Sequence, residues 1–382
     1  MKAYITNTAS FLPNQPVDNE RIESVLGMVG GKPSRAKRLV LRSNGIKQRY
    51  YAIDPETGEM THTNAQMTAQ CVRALFDSED ELRGLQCLVS GTSMPDQVMP
   101  GHGLMVHGEL GNPCCEVIST SGICLSGAAA LKYAYLGVKS GEFDQVVSTG
   151  SELASPVLRA DHFEAESRYK LDQLQKKPEI AFEKDFLRWM LSDGAGAFRV
   201  ESEPQQRADQ PVVAIDWIEI YSYANELETC MYAGAEKLED GALHSWKLYP
   251  QQSLLDHSVM SIKQDVKLLN EHIVPMAVVE TLKRVIPKTG LRAEQVDYFL
   301  PHISSMFFED KVYEALVALD FEIPRERWFT NLTTRGNTGS ASIYIMLDEL
   351  LKSGRVKSGD RLLCFVPESG RFSSSFMLLT AV

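Results

Sequence analysis

Apolar runs alternate with segments of helical period along nearly the whole chain, and this order predicts buried strands interleaved with helices. In the first half strands are expected near Ala3–Thr6, at Cys87–Gly91, Glu116–Ser119, Gln145–Gly150 and Ala195–Val200. Helices are expected over Thr63–Leu75 and from about Cys124 to Lys139. The second half repeats the order. Strands near Val212–Tyr221 lead to a long helix over Asp256–Val285, then a strand at Val296–Leu300 and a helix at Ser305–Leu319. A strand at Trp328–Thr330, a helix at Ser340–Lys352 and strands at Arg361–Val366 and Ser374–Leu379 complete it. Such alternation implies a parallel-rich sheet covered on both faces. Identity between the halves is negligible, so their likeness rests on element order. Two segments interrupt it: Arg159–Met190 is charged and helical, and Ala224–Ser253 is polar and irregular. Glu201–Pro211 reads as a linker.

The richest chemistry lies in Glu116–Lys132, where an apolar strand breaks into Ser/Thr/Gly and passes through Cys124 into an alanine-rich helix. A thiol at a helix start meets unpaired N–H groups and the helix dipole, both of which favour the thiolate. The competing reading is a small core residue at a strand–helix junction. Two further junctions bear on the choice. Val296–Ser304 runs from an apolar strand into Pro301-His302, and Trp328–Ser342 runs into a Gly/Asn/Thr turn around Asn337. Taken singly, a His or Asn more often satisfies a turn or a core hydrogen bond than carries catalysis. Strand ends in layered α/β proteins gather on one edge, where ligands collect, so three such junctions favour convergence of Cys124, His302 and Asn337.

Thr149-Gly150-Ser151-Glu152 places a carboxylate just after a strand near the same edge. Glu152 is either a hydrogen-bonded structural acid or, with a pKa raised by burial, a base for an acidic α-proton.

With 382 residues the chain can build two domain-sized units. No apolar run approaches membrane-spanning length, and the N-terminus alternates like a strand instead of a signal peptide. Seven cysteines without CxxC spacing or a zinc pattern argue for reduced thiols in a cytoplasm and for no metal. Cys115 is the fallback nucleophile, its packing role being the plainer reading. The net charge of −11 argues against general nucleic-acid binding. Against that average, Lys32–Arg49 carries Arg35, Lys37, Arg38, Arg42 and Arg49 with no acid between them. This run is a solvated face or a docking patch for an anionic partner.

The order Gly122-Ile123-Cys124-x-x-Gly127, Pro301-His302-Ile303-Ser304, Arg335-Gly336-Asn337-Thr338-Gly339-Ser340-Ala341-Ser342 resembles the β-ketoacyl synthase III family of the thiolase superfamily. Asn44–Arg49, Ser192–Ala197 and the closing Leu347–Leu363 extend the resemblance nearly end to end. It implies a duplicated α-β-α-β-α layered fold with a cap insertion, a first half at 1–203 carrying Cys124 and a second at 204–382 carrying His302 and Asn337. It implies that Cys124 is acylated by a thioester while His302 and Asn337 bind the second substrate's carbonyl. Oxyanion donors would be the backbone N–H of Cys124 and of Gly370. The family's glycine-rich loop is here Pro367-Glu368-Ser369-Gly370-Arg371-Phe372, poorer in glycine, so Glu368 or Arg371 can enter the site. Acyl carrier protein or acyl-CoA thioesters are the implied partners, a homodimer the implied assembly, with no cofactor.

Residues 3–23, the stretch Leu41–Asp54 and Gly91–Glu109 look like the dialkylresorcinol-forming ketosynthase/cyclase branch. That branch joins a β-ketoacyl thioester to an α,β-unsaturated acyl thioester and closes a cyclohexanedione. Three other readings stand beside it. One is a decarboxylating synthase, and another a non-catalytic partner subunit. The third is an aldol enzyme like hydroxymethylglutaryl-CoA synthase, disfavoured because Gly91–Met99 offers Asp96 and no glutamate.

Overall fold

The computed structural model describes residues 1–163, 186–206 and 209–382. Nine strands form one mixed sheet: β1 (Tyr4–Phe11), β2 (Cys87–Thr92), β3 (Glu116–Ser121), β4 (Gln145–Glu152), β5 (Gly194–Glu201), β6 (Val213–Ser222), β7 (Tyr298–Pro301), β8 (Arg361–Glu368) and β9 (Ser373–Ala381). Their order across the sheet is β7-β8-β9-β6-β1-β5-β4-β2-β3. The two blocks meet where β1 and β6 pair antiparallel through only Tyr4–Ala214 and Ile5–Val213.

This order contains one pattern twice. In the first half the third strand lies parallel to the second and the second parallel to the fourth. The fourth and fifth are antiparallel, and the fifth pairs antiparallel with the first. In the second half β8 is parallel to β7, β9 antiparallel to β8, and β6 antiparallel to β9. A parallel bridge from Phe299 to Trp328 stands where a third strand belongs. The expected strand at Trp328–Thr330 is thus reduced to a bridge, with the Phe329 N–H donating to the Phe299 carbonyl at 2.8 Å. Duplication is therefore carried by topology, where identity carries none.

The helix after β3, α1 (Leu125–Ser140), and α2 (Ser342–Lys352) pack between the half-sheets. Their apolar faces meet in a shared cluster that includes Leu131, Ala134, Tyr344 and Leu347. Helices at Asn64–Arg73 and His102–Leu110 cover the outer face of the first half, and those at Val266–Val274, Thr281–Thr289 and Glu309–Ala318 cover the second. Five layers result, α-β-α-β-α, and the fold is thiolase-like.

The long helix expected over Asp256–Val285 divides. Gln251–Asp256 is a separate short helix, Lys263–Gln264 pairs with Met231–Tyr232, and the main helix starts at Val266. The Asp265 carboxylate accepts from the Leu268 N–H and caps the start. Pro275, without an N–H, opens a π-helical stretch to Glu280. Of the charged insertion Arg159–Met190, residues 164–185 lie outside the described residues.

Candidate active site

Small residues bring the site together. Added Cβ atoms on Gly127 and Gly150 would both collide with the Ser340 carbonyl. Their absence lets α1, β4 and the Ser340 turn approach at backbone distance. As a result the ends of β3 and β4 face the Asn337 turn across the boundary between the halves.

Cys124, Glu152 and Asn337 line one cavity of about 450 Å³, open mouth included. Apolar side chains such as Met94, Met190, Met231 and Ile262 form most of its remaining wall. Leu187 and Met190, from the described end of the charged insertion, belong to that wall. Among the described residues no cluster of His, Cys, Asp or Glu could hold a metal. No helix among them is long and apolar enough to cross a membrane.

Cys124 is the N-cap residue of α1 and is half-buried. The expected thiolate is not favoured there. Burial, then the charge of Glu368, then that of Glu152 push the thiol well above its ordinary range. The helix start is occupied, because the Glu368 carboxylate accepts from the N–H groups of Ile123 at 2.9 Å and Leu125 at 3.0 Å. Glu368 thus does enter the site, whereas Arg371 turns outward to the Leu227 carbonyl.

Glu152 ends β4 and is 2% exposed. It accepts from Ser93 Oγ at 2.6 Å and from the Ser340 N–H at 3.2 Å. Desolvation outweighs these bonds and raises its pKa to about 7, which leaves it able to take or give a proton near neutrality. Asn337 is fixed by its backbone, its N–H donating to the Met190 carbonyl and its carbonyl accepting from Ser192 N–H. Its Oδ1 accepts from the Gly339 N–H at 3.0 Å. This leaves the Nδ2 donors without a partner among the described residues and pins the amide's orientation.

His302 does not line that cavity. It lines a smaller adjoining one of about 170 Å³ with Gly336, Thr330 and Ser342, while Ser304 lines the larger. Just past the end of β7, its backbone N–H donates to the Phe365 carbonyl of β8. Burial lowers its pKa to about 4, so the imidazole is neutral at pH 7 and offers a neutral N–H donor. Gly370 lies beside the turn that carries Cys124, where an added Cβ would stand 3.0 Å from Ile123 Cδ1. Cys115, the fallback, precedes β3 at the opposite end of that strand from Cys124 and lines neither cavity.

The basic run divides. Arg49 is fully buried and donates to Asn19 and to the Trp189 carbonyl, so it docks nothing. Burial of its guanidinium is offset by these acceptors, which tie the first half to the turn before β5. Lys37 is paired with Glu23 at 2.9 Å. Arg35, Arg38 and Arg42 remain exposed.

Sequence reasoning missed Ser93 and Ser340 as the partners of Glu152. It also missed Asp193, whose carboxylate accepts from the N–H groups of Ala52, Ala154 and Ser155. Asp193 thereby ties the segment after Glu152 to the strand entry that holds Asn337. Its signal was the Ser192-Asp193-Gly194 entry, legible as a motif but not as a clamp.

The layered fold, with Cys124 at the mouth of a central helix, is thiolase-like in architecture. Residues 286–375 match the family model for the 3-oxoacyl-[acyl-carrier-protein] synthase III C terminal. The β-ketoacyl-[acyl-carrier-protein] synthase III of Hyphomonas neptunium is 23% identical over 362 residues, covering 95% of this chain and 94% of its own. Among solved structures, a tetronic acid condensing enzyme superposes with a TM-score of 0.75 at 20% identity, covering 99% of this chain and 100% of that one. Xanthomonas campestris OleA, as a cysteine-to-serine variant with bound lauric acid and lauroyl-CoA, superposes with a TM-score of 0.71 at 18% identity, covering 100% of this chain and 99% of that one. At these identities the structural likeness establishes the fold.

Proposed function

We propose that this protein is a ketosynthase III-type enzyme that forms carbon–carbon bonds between acyl thioesters through an acyl-Cys124 intermediate. The finer reading is that it condenses a β-ketoacyl thioester with an α,β-unsaturated acyl thioester and cyclises the product to a cyclohexanedione. The observation that carries it is the shared cavity of Cys124, Asn337 and a Glu152 titrating near neutrality. A decarboxylating synthase needs no such base, because loss of carbon dioxide itself generates the carbanion. The named synthases among the relatives favour that second reading, and carbon dioxide release separates the two.

In the first step Cys124 Sγ bonds to the acyl carbon, the bond from that carbon to the donor sulfur breaks, and the thiol proton leaves on the departing thiol. Backbone N–H groups of Cys124 and Gly370 are the proposed oxyanion donors. Glu152 then removes the acidic proton between the two carbonyls of the β-ketoacyl group. The Asn337 amide, inside this cavity, holds the resulting enolate oxygen, and the neutral His302 imidazole is its proposed second donor, from the smaller cavity that it lines. The carbanion adds to the β-carbon of the unsaturated partner, and Glu152 returns the proton to the adduct. With the unsaturated acyl group on Cys124, Glu152 takes a second proton from the carbon on the far side of the keto group, that enolate carbon bonds to the acyl-cysteine carbonyl carbon, the carbon–Sγ bond breaks, and the released Cys124 sulfur takes the proton from Glu152.

The division into residues 1–203 and 204–382 is part of the same proposal, each half supplying one end of the site. Carrier protein or coenzyme A would deliver the acyl groups, with Arg35, Arg38 and Arg42 as the docking cations left after Arg49 and Lys37 are removed. The homodimer has a physical motive. β3 is an edge strand, and Leu104 and Leu136 on the helices beside it are exposed, as are Val98 and Met99 in the preceding loop. Incubation with an acyl thioester followed by peptide mass analysis tests the nucleophile. Cys124 acquires the acyl mass in the wild type and in His302→Ala and Asn337→Ala, which lose condensation, and Cys124→Ala acquires none. Unlabelled wild-type Cys124 contradicts the proposal.

A further inference from the structure

Glu152 and Glu368 are counterparts in the duplicated fold. The pairing of β2 with β4 aligns Cys87 with Val146, and that of β7 with β8 aligns Tyr298 with Leu362. Both fourth strands are eight residues long, and each ends on its glutamate. The hairpin registers agree, since Glu152 faces Gly194 and Glu368 faces Ser373, each at the start of its fifth strand. Each carboxylate also reaches into the other half. Glu152 accepts from Ser340 N–H, at the turn leading into α2. Glu368 accepts from Ile123 N–H and Leu125 N–H, the two residues that flank Cys124 at the start of α1.

The start of a 16-residue helix carries partial positive charge that one nearby anion can use. Here the anion is a side chain of the protein itself. The charged groups facing Cys124 are Glu368 from β8 and Glu152 from β4. Among the described residues, the other elements of the cavity wall contribute neutral groups, among them Asn337, Gln264 and Ser369, and no lysine or arginine. A thiolate at Cys124 would add a negative charge beside one carboxylate and near a second, with no cation opposite among the described residues.

We propose that Glu368 is a positioning residue that holds Cys124 as an unreactive thiol in the empty enzyme, by occupying the helix start that would otherwise favour the thiolate. This rests on Cys124 being the acylated nucleophile. Acyl transfer does not need a free thiolate beforehand, because the Sγ proton can leave with the departing thiol as the new bond forms. Small electrophiles that react only with thiolate are excluded, and the resting cysteine is protected from them.

The test is the pH dependence of iodoacetamide alkylation at Cys124 in the full-length protein, followed by peptide mass analysis with Cys124→Ala as background. Wild type should show a midpoint above that of an ordinary free cysteine, about 8.5. Glu368→Gln keeps an oxygen to accept the two N–H bonds and removes the charge. Its midpoint should fall by at least one pH unit, and its alkylation rate at pH 7.5 should rise about tenfold. Glu368→Asp, which restores the charge, should move the midpoint back toward wild type. A folded Glu368→Gln protein with the wild-type midpoint overturns the proposal, and so does a wild-type midpoint below 8.5, a result that needs no variant to fold. Failure to label Cys124 at any pH in any of these proteins removes the nucleophile reading itself, and this inference with it.

Discussion

Glu152 is 2% exposed yet keeps two hydrogen-bond donors, Ser93 Oγ and Ser340 N–H. Burial moves its pKa from the ordinary 4.5 to about 7, so the folded state prefers the protonated form. Stability from this preference is complete below about pH 4.5 and is lost as pH rises through 7, with a ceiling of about 3 kcal/mol. Glu152→Gln is neutral throughout. Its denaturant midpoint should therefore gain on wild type between pH 5 and pH 8, and its turnover of a β-ketoacyl substrate should drop by 10²-fold or more. Unchanged turnover would return Glu152 to a structural role. Other residues show what the linear pattern could carry. Cys124 and Asn337 were legible because each follows an apolar run into a turn of small residues. The high pKa of Cys124 was not legible, since it depends on Glu368, which lies beyond residue 360 and reaches the site through sheet pairing. Arg49 was misread for a related reason: a run of charge does not disclose that one guanidinium turns inward to Asn19 and the Trp189 carbonyl.

Strands were the easiest elements to read, because continuous apolar runs such as Cys87–Val89 and Val146–Val147 are buried on both faces. Helix boundaries were harder where a polar side chain decides them. Apolar period continues through residues 256–285, but the Asp265 cap restarts the helix at Val266. Trp328 continues the alternation of a strand, yet only one bridge forms, and Asn331 begins the next turn. At this scale the contact of α1 with the Ser340 turn bears most on the site. Alanine at Gly127 would gain about 1 kcal/mol in helix propensity. It would also drive a methyl group into the Ser340 carbonyl, and such overpacking costs roughly 1–3 kcal/mol. Gly127→Ala should therefore lower stability by up to about 2 kcal/mol in urea unfolding. It should also reduce condensation, because Ser340 would move off Glu152. A variant as stable and active as wild type would show that the two halves tolerate a wider gap.

Across the whole molecule, duplication is the organising fact. One half carries Cys124 and Glu152, the proposed nucleophile and base, and the other carries Asn337 and His302. Each half's fourth-strand glutamate crosses to the segment that leads into the other half's central helix. Element order in the sequence pointed to this duplication, and strand direction and register establish it. The reaction itself is decided by its products. Mass analysis after offering β-ketoacyl, malonyl and α,β-unsaturated acyl thioesters together tests the central claim most directly. The account predicts a cyclised adduct of the β-ketoacyl and unsaturated chains, formed without carbon dioxide release and absent with Cys124→Ala. A linear β-ketoacyl product accompanied by stoichiometric carbon dioxide from the malonyl donor would contradict it.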